Sequence, residues 1–338
     1  MTTLTGPTPP ELTEAPASPQ PARGLRYLWY RTRSSPLTIA GAVIILLYLV
    51  VALCAPLLAP VPAEQRGNPY SPVGHEGEDV LPAPWFTTQL DPTPCTAQWP
   101  VPVVGWFNHA TMQCPLGTSN HGADVYYGIV WGARISVLMG VGVTATGVVV
   151  GMILGLIAGW YGGWIDELLL RITDIFLSLP LLVLAIAVIV ALHNPSLLSV
   201  GLALAVVWWP TYTRLVRGQV LAIRESQYVE AARASGLPDW YIMVRHVAPN
   251  TLSPVVVQAT LDIGSVVLIA ASLSFIGFTS NSPLLPEWGR LVALGQEYIA
   301  TGQWWTVVFP GLAIFGFVLG FNLLGDGLRD VLDPRGAR

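Results

Sequence analysis

The chain has 338 residues, 53% of them hydrophobic and only 11% charged, whereas soluble domains carry about 25% charge. All sixteen cationic residues are arginine, which removes the P-loop lysine, the Schiff-base lysine and the kinase strand lysine, and with them three broad enzyme classes. A net charge of -4 without a dense basic cluster argues against nucleic-acid binding, and the positive mean hydropathy points to lipid as the solvent.

Residues 1–24 are rich in Pro, Thr, Ala and Glu and poor in large apolar side chains, so they read as a disordered tail. A bilayer core of about 30 Å needs roughly 20 apolar residues per helical crossing. Six runs have that character: 37–59, 135–158, 172–192, 197–216, 252–277 and 305–324. Lipid offers no partner to a free backbone amide, so each run is predicted to be helical. The expected fold is therefore all-α, a polytopic membrane bundle with six transmembrane helices. The first run starts too late and is too long for a signal peptide, and should stay attached. Its Val51-Ala52-Leu53-Cys54 resembles a lipoprotein cleavage box, but Leu53 stands where a small residue is needed, and Cys54 reads as a buried apolar side chain.

The segments between runs set the layout: 25–59 an N-terminal segment with the first crossing, 60–134 an outer loop, 135–325 the helical core, and 326–338 a tail. Arginine placement sets the orientation. With the N-terminus cytoplasmic, the inner segments hold Arg23, Arg26, Arg31, Arg33, Arg171, Arg214, Arg217, Arg224, Arg233, Arg245, Arg329, Arg335 and Arg338, and the outer ones Arg66 and Arg290, with Arg134 at a membrane edge. Both termini are expected inside. Cys95 and Cys114 then lie in an oxidising compartment, where a disulfide across their loop of about 18 residues stabilises by about 3 kcal/mol. The rival, a metal site with His75, His109 or His121, has no zinc-ribbon or zinc-finger spacing behind it, so no metal is expected.

Within the second run Gly147, Gly151, Gly155 and Gly159 recur every fourth residue, a stripe that lets another helix approach closely. Gly140-Val141-Gly142-Val143-Thr144-Ala145 matches a dinucleotide fingerprint in letters only, since it lies inside an apolar run. Pro180 should kink the third run. Asp262, the one acid deep in an apolar run, reads as a hydrogen-bonding group within the bundle or at a subunit interface, with proton relay the rival. A membrane-embedded enzyme would need a catalytic constellation, but His193 and His246 are placed on opposite sides. A secondary transporter would show matching halves, and none is evident.

The polar segment 217–250 is too charged to cross. Good helix formers lead to Gly236, a natural C-terminal cap, and Pro238-Asp239 suits the first turn of a second helix that Pro249 is expected to end. Ala231, Ala232 and Ala234 leave the first of these helices thin enough to enter a groove on another protein. A solvated amphipathic connector is the bland alternative.

The order Glu230-Ala231-Ala232, Gly236, Ile242 and Pro249 resembles the coupling loop of the permease subunits of ATP-binding-cassette importers, with Ala248 where a leucine is usual. Further motifs agree: Pro115-Leu116-Gly117-Thr118, Gly132-Ala133-Arg134-Ile135-Ser136, Tyr161-Gly162-Gly163-Trp164, Arg214-Leu215-Val216-Arg217-Gly218-Gln219, Gln258-Ala259-Thr260-Leu261-Asp262, Ser272-Leu273-Ser274-Phe275-Ile276-Gly277, Pro286-Glu287-Trp288-Gly289 and Asn322-Leu323-Leu324-Gly325-Asp326-Gly327-Leu328-Arg329-Asp330. Over about residues 25–335 the chain resembles the dipeptide and oligopeptide permease family of the DppC/OppC type. Gly122-Ala123-Asp124 departs from the family's Gly-Arg-Asp, and the outer loop is longer than usual.

The resemblance implies the type I importer permease fold, a bacterial inner-membrane location and no catalysis by this chain. It also implies a homologous second permease of the DppB/OppB type, one or two ATPases carrying ATP and Mg, an extracytoplasmic binding protein and a peptide substrate. Nickel or glutathione would use nearly the same architecture. No cofactor is expected on the chain itself. The residues implicated in ATPase coupling are Glu230, Ala231, Ala232 and Gly236, with Arg233 and Arg245 as ion-pair candidates. Asp262, Glu287 and Trp288 are candidates for the pathway or the subunit interface.

Overall fold

The computed structural model describes residues 35–59, 116–117, 119, 124–279 and 286–332. The 1–24 tail, the pair Cys95 and Cys114 and the three loop histidines lie outside these residues. Among the described residues the fold is helical throughout, without a strand. The helices are α1 (Pro36–Leu58), α2 (Val125–Tyr161), α3 (Gly163–Ser178), α4 (Leu181–Ala191), α5 (Leu197–Ile223), α6 (Gln227–Ala234), α7 (Asp239–Ile242), α8 (Ala248–Phe275), α9 (Trp288–Gln296) and α10 (Trp305–Leu332).

Among the described residues four stretches are long and apolar enough to cross a bilayer: α1, α2, Asp239–Phe275 and Trp305–Val331. Helices α3 and α4 add a fifth crossing if taken together, but they meet at 96°. The expected kinked run is thus a broken one. Leu179 is extended (φ -90, ψ 140), the conformation that a following proline favours, and Pro180 then caps α4 by accepting the Leu184 amide at 3.0 Å. With its 11 residues α4 is about 16 Å long, too short to cross alone. Helix α5 has the length, but its second half, from Trp208 to Arg217, is aromatic and polar. The sixfold count from sequence therefore becomes four or five on length and apolarity.

Two further differences concern helix ends. Helix α2 begins at Val125, ten residues before the apolar run, because Asp124 caps it by accepting the Tyr126 amide at 2.8 Å. Pro249 does not end the second loop helix. A π-helical turn, Met243–Val247, joins α7 to α8, and the widened turn absorbs the proline's missing donor and ring, so the chain runs on as one rod, Asp239–Phe275.

The glycine stripe packs as expected. It faces α5, and a Cβ at Gly155 would stand 2.7 Å from the Thr213 carbonyl oxygen, one at Gly159 2.7 Å from Val220 Cβ. At Gly151, Gly155 and Gly159 no side chain larger than hydrogen fits, and α2 and α5 form the most extensive helix pair among the described residues. Helices α1 and α8 flank α10, running antiparallel to it: Gly41 meets Leu324 and Gly316 meets Tyr48, while Gly264 meets Val318 and Gly325 meets Leu261. Trp131 and Tyr126 donate to the carbonyls of Ala59 and Leu58, satisfying the end of α1. Cys54 in α1 is half-buried rather than fully buried.

Candidate functional site

The segment between α5 and α8 hangs from one end of the bundle. After Ile223 a three-residue turn leads to α6, whose Ser226 carbonyl accepts the Val229 and Glu230 amides. The helix is short and one-sided. Val229 is fully buried and Ala232 nearly so, while Glu230, Ala231, Arg233 and Ala234 are exposed. A spacing of three puts the two buried residues on one face, where they join an apolar cluster with Leu156, Trp160, Val220, Ile242 and Val247.

Gly236 ends α6 at φ 76. Leu237 donates to the Ala232 carbonyl at 3.4 Å and Gly236 to Arg233 at 2.9 Å, the bonding of a left-handed helix cap. Nothing lies within 4 Å of a Cβ built on Gly236, so backbone conformation alone selects glycine there. Beyond the turn, Ile242 and Val247 plug the cluster. Tyr228, Leu237, Trp240, Tyr241 and Val244 of the same segment remain exposed. Arg245 is exposed in the π turn.

Arginines tie this end together. Arg217 grips Asp166 of α3 through two bonds of 2.6 and 2.7 Å, Arg214 pairs with Asp174, and Arg171 with Glu167 at 2.7 Å. Arg224 donates to the Gly159 carbonyl at 3.0 Å. The Arg233 guanidinium lies 4.6 Å over the centre of the Trp160 ring, within cation–π range.

The other candidates lie away from this segment. Asp262 is buried in α8 and accepts Tyr212 Oη of α5 at 2.7 Å and Gln258 Nε2 at 3.0 Å, the hydrogen bond within the bundle that its position called for. Glu287 and Trp288 sit at the opposite end. Ser274 Oγ donates to both Glu287 oxygens, at 2.7 and 2.6 Å, and Trp288 Nε1 donates to the Ile129 carbonyl at 3.0 Å. The Trp288 ring meets Tyr48 and Phe317 edge-on. These bonds tie α9 to α2, α8, α1 and α10. Burial pushes the Glu287 carboxyl up to about 7 against the opposing pull of Ser274 and Arg290, and holds the Arg290 guanidinium below its usual value. Burial likewise pushes Asp124 up to about 7, although backbone amides of Tyr126 and Tyr127 pull it down.

Comparison with known proteins decides the family. Residues 151–338 match the family described as binding-protein-dependent transport system inner membrane component. The chain belongs to this family. Residues 25–72 match the N-terminal TM domain of oligopeptide transport permease C. The probable D,D-dipeptide transport system permease protein DdpC of Escherichia coli K12 is 38% identical over 312 residues, 92% of each chain. The dipeptide transport system permease protein DppC of the same organism is 38% identical over 320 residues, covering 94% of this chain and 96% of its own. The glutathione transport system permease protein GsiD of Pectobacterium atrosepticum is 35% identical over 310 residues, 92% of this chain and 91% of its own.

The chain is thus a non-catalytic, multi-pass inner-membrane component of a transport system, with the type I importer permease fold. Of the permease residues singled out from sequence, the structure gathers Glu230, Ala231, Ala232, Arg233, Gly236 and Arg245 at one end and leaves Asp262 within the bundle and Glu287 and Trp288 at the other. Sequence reasoning missed Val229, Trp160, Arg224 and Tyr212. Val229 had a signal, a β-branched residue three before Ala232 in a polar stretch. The others are set by pairings of 65 and 50 residues' separation for Arg224 with Gly159 and Tyr212 with Asp262, which no local pattern announces.

Proposed function

We propose that this permease is one of two homologous membrane subunits of an ATP-binding-cassette importer for short peptides, driven by one or two cytoplasmic ATPases that hold ATP and Mg and fed by an extracytoplasmic binding protein. The observation that carries the reading is α6 itself. One face is buried on Val229 and Ala232, the other presents Glu230, Ala231 and Ala234 in a segment that leaves Tyr228, Leu237, Trp240, Tyr241 and Val244 exposed, and a left-handed turn fixes its end. A helix so built suits a groove on a partner and moves with that partner. ATP-driven closure of the ATPases would carry α6 along and bias the bundle from inward-facing to outward-facing, a population shift. Glu230, Ala231 and Gly236 form the docking element, which Ala232, buried on the other face, seats on the bundle, and the exposed Arg245 follows in the π turn.

Peptide as the substrate class is supported by relatives named for dipeptides at 38% identity over nine-tenths of the chain. A relative named for glutathione at 35% supports the second reading, and glutathione is itself a short peptide. Purification of the tagged permease in mild detergent, with mass spectrometry of co-purifying proteins, tests the assembly. Recovery of a second permease and an ATPase is expected, followed by dipeptide uptake in proteoliposomes. Recovery of the chain alone under crosslinking would overturn the importer, and glutathione uptake that dipeptides do not compete would overturn the dipeptide substrate.

A further inference from the structure

The two loop arginines that turn back onto the bundle land on adjacent residues. Arg224 donates to the carbonyl of Gly159, and Arg233 stacks on the ring of Trp160. Both targets lie in the last turn of α2, where helix carbonyls lack an intrahelical donor and accept an outside one. Gly159 is also the last residue of the stripe that locks α2 against Val220 of α5. The loop therefore grips the bundle at the point where its most extensive helix pair is fastened.

Arg233 had another option. It is exposed on an eight-residue helix, free to extend into water, yet its guanidinium covers the ring of Trp160, which is buried at 5% exposure in the apolar cluster. We propose that Arg233 on Trp160, with Arg224 on Gly159, forms a latch that carries displacement of α6 into the α2–α5 pair, making Arg233 and Trp160 positioning residues for coupling. Without it α6 hangs between two turns, 224–226 and 235–238, and holds the bundle only by the non-directional contact of Val229 and Ala232. Pushed from outside, such a helix swings on its turns. Latched, it moves α2 with it, while the continuous rod Asp239–Phe275 carries the same displacement to Asp262 and, through Tyr212, back to α5. The inference rests on α6 being the docking helix.

A double-mutant cycle separates this role from an ion pair between Arg233 and an ATPase. The complete transporter in proteoliposomes is assayed for peptide taken up per ATP hydrolysed. Arg233→Met, which keeps the stem and loses the cation, should lower that ratio about fivefold, and Arg233→Lys should restore most of it. Trp160→Leu should match Arg233→Met, and the double variant should be no worse than the poorer single, because the two act through one contact. A wild-type ratio for Arg233→Met, or losses that multiply in the double variant, would overturn the latch. The Arg233 variants lie on an exposed side chain and decide the question if Trp160→Leu fails to assemble. A photo-reactive residue at position 231 distinguishes the two levels. Crosslinking to an ATPase with an unaltered ratio in Arg233→Met sinks the latch alone, whereas no crosslink in the otherwise unmodified transporter sinks the docking reading and the latch with it.

Discussion

A carboxyl buried without a full charge partner makes stability depend on pH. Glu287, nearly enclosed beside Ser274, is pushed from 4.5 to about 7 by burial. Between those values the folded chain keeps a proton that the unfolded chain has lost, so the contribution of Glu287 to stability is fully present below about pH 4.5 and is lost as pH rises toward 7, by about 3 kcal/mol. Asp124, raised to about 7 from 3.8, adds a slope of the same sign. Glu287→Gln keeps an acceptor for Ser274 and removes the titration. Thermal melts of the detergent-solubilised protein, followed by tryptophan fluorescence from about pH 5 to about pH 8, should therefore fall less steeply for the variant. An unchanged slope would show that Glu287 does not hold its proton in the fold.

At the scale of elements, Gly236 is the position where one residue governs one helix. A Cβ there meets no neighbouring atom, so the cost of about 1–2 kcal/mol for valine arises in the left-handed backbone and falls on the end of α6. Gly236→Val is expected to abolish uptake while the variant still assembles with its partners, as size-exclusion profiles would report. Equal uptake by variant and parent would refute it. This cap was legible in sequence because glycine before Pro238 has a single local meaning. The long crossings were legible for a similar reason, since lipid demands a length of apolar helix and α1, α2, α8 and α10 supply it. The bend at Pro180 was legible but not its size, and the continuation through Pro249 was not legible at all. One ends a helix at 96° and the other rides on a π turn, and the choice depends on what the neighbouring helices leave open, a tertiary fact. The residues of α6 were visible as a motif, but the contacts that seat it, Val229 in the cluster and Arg233 on Trp160, join segments far apart in the chain.

The whole molecule carries an asymmetry that gives it a direction in the membrane. Because α1 and α8 both run antiparallel to α10, the start of α1, the start of α8, the end of α10 and α6 share one end. Arg171, Arg214, Arg217, Arg224, Arg233, Arg245 and Arg329 stand at that end, Arg134 and Arg290 toward the other. Arginine is retained on the cytoplasmic side during insertion, so the expected orientation puts α6 where ATP is available and α9, with Glu287, toward the outside. Single cysteines at two exposed positions, Ala231→Cys in α6 and Ala300→Cys beyond α9, test this in a chain whose Cys54, Cys95 and Cys114 are replaced by serine. A membrane-impermeant maleimide added to intact spheroplasts should label position 300 and spare 231. Inverted vesicles stripped of peripheral proteins should reverse the pattern. Labelling of position 231 from outside would turn the permease over in the membrane and put its docking helix where no ATPase could reach it.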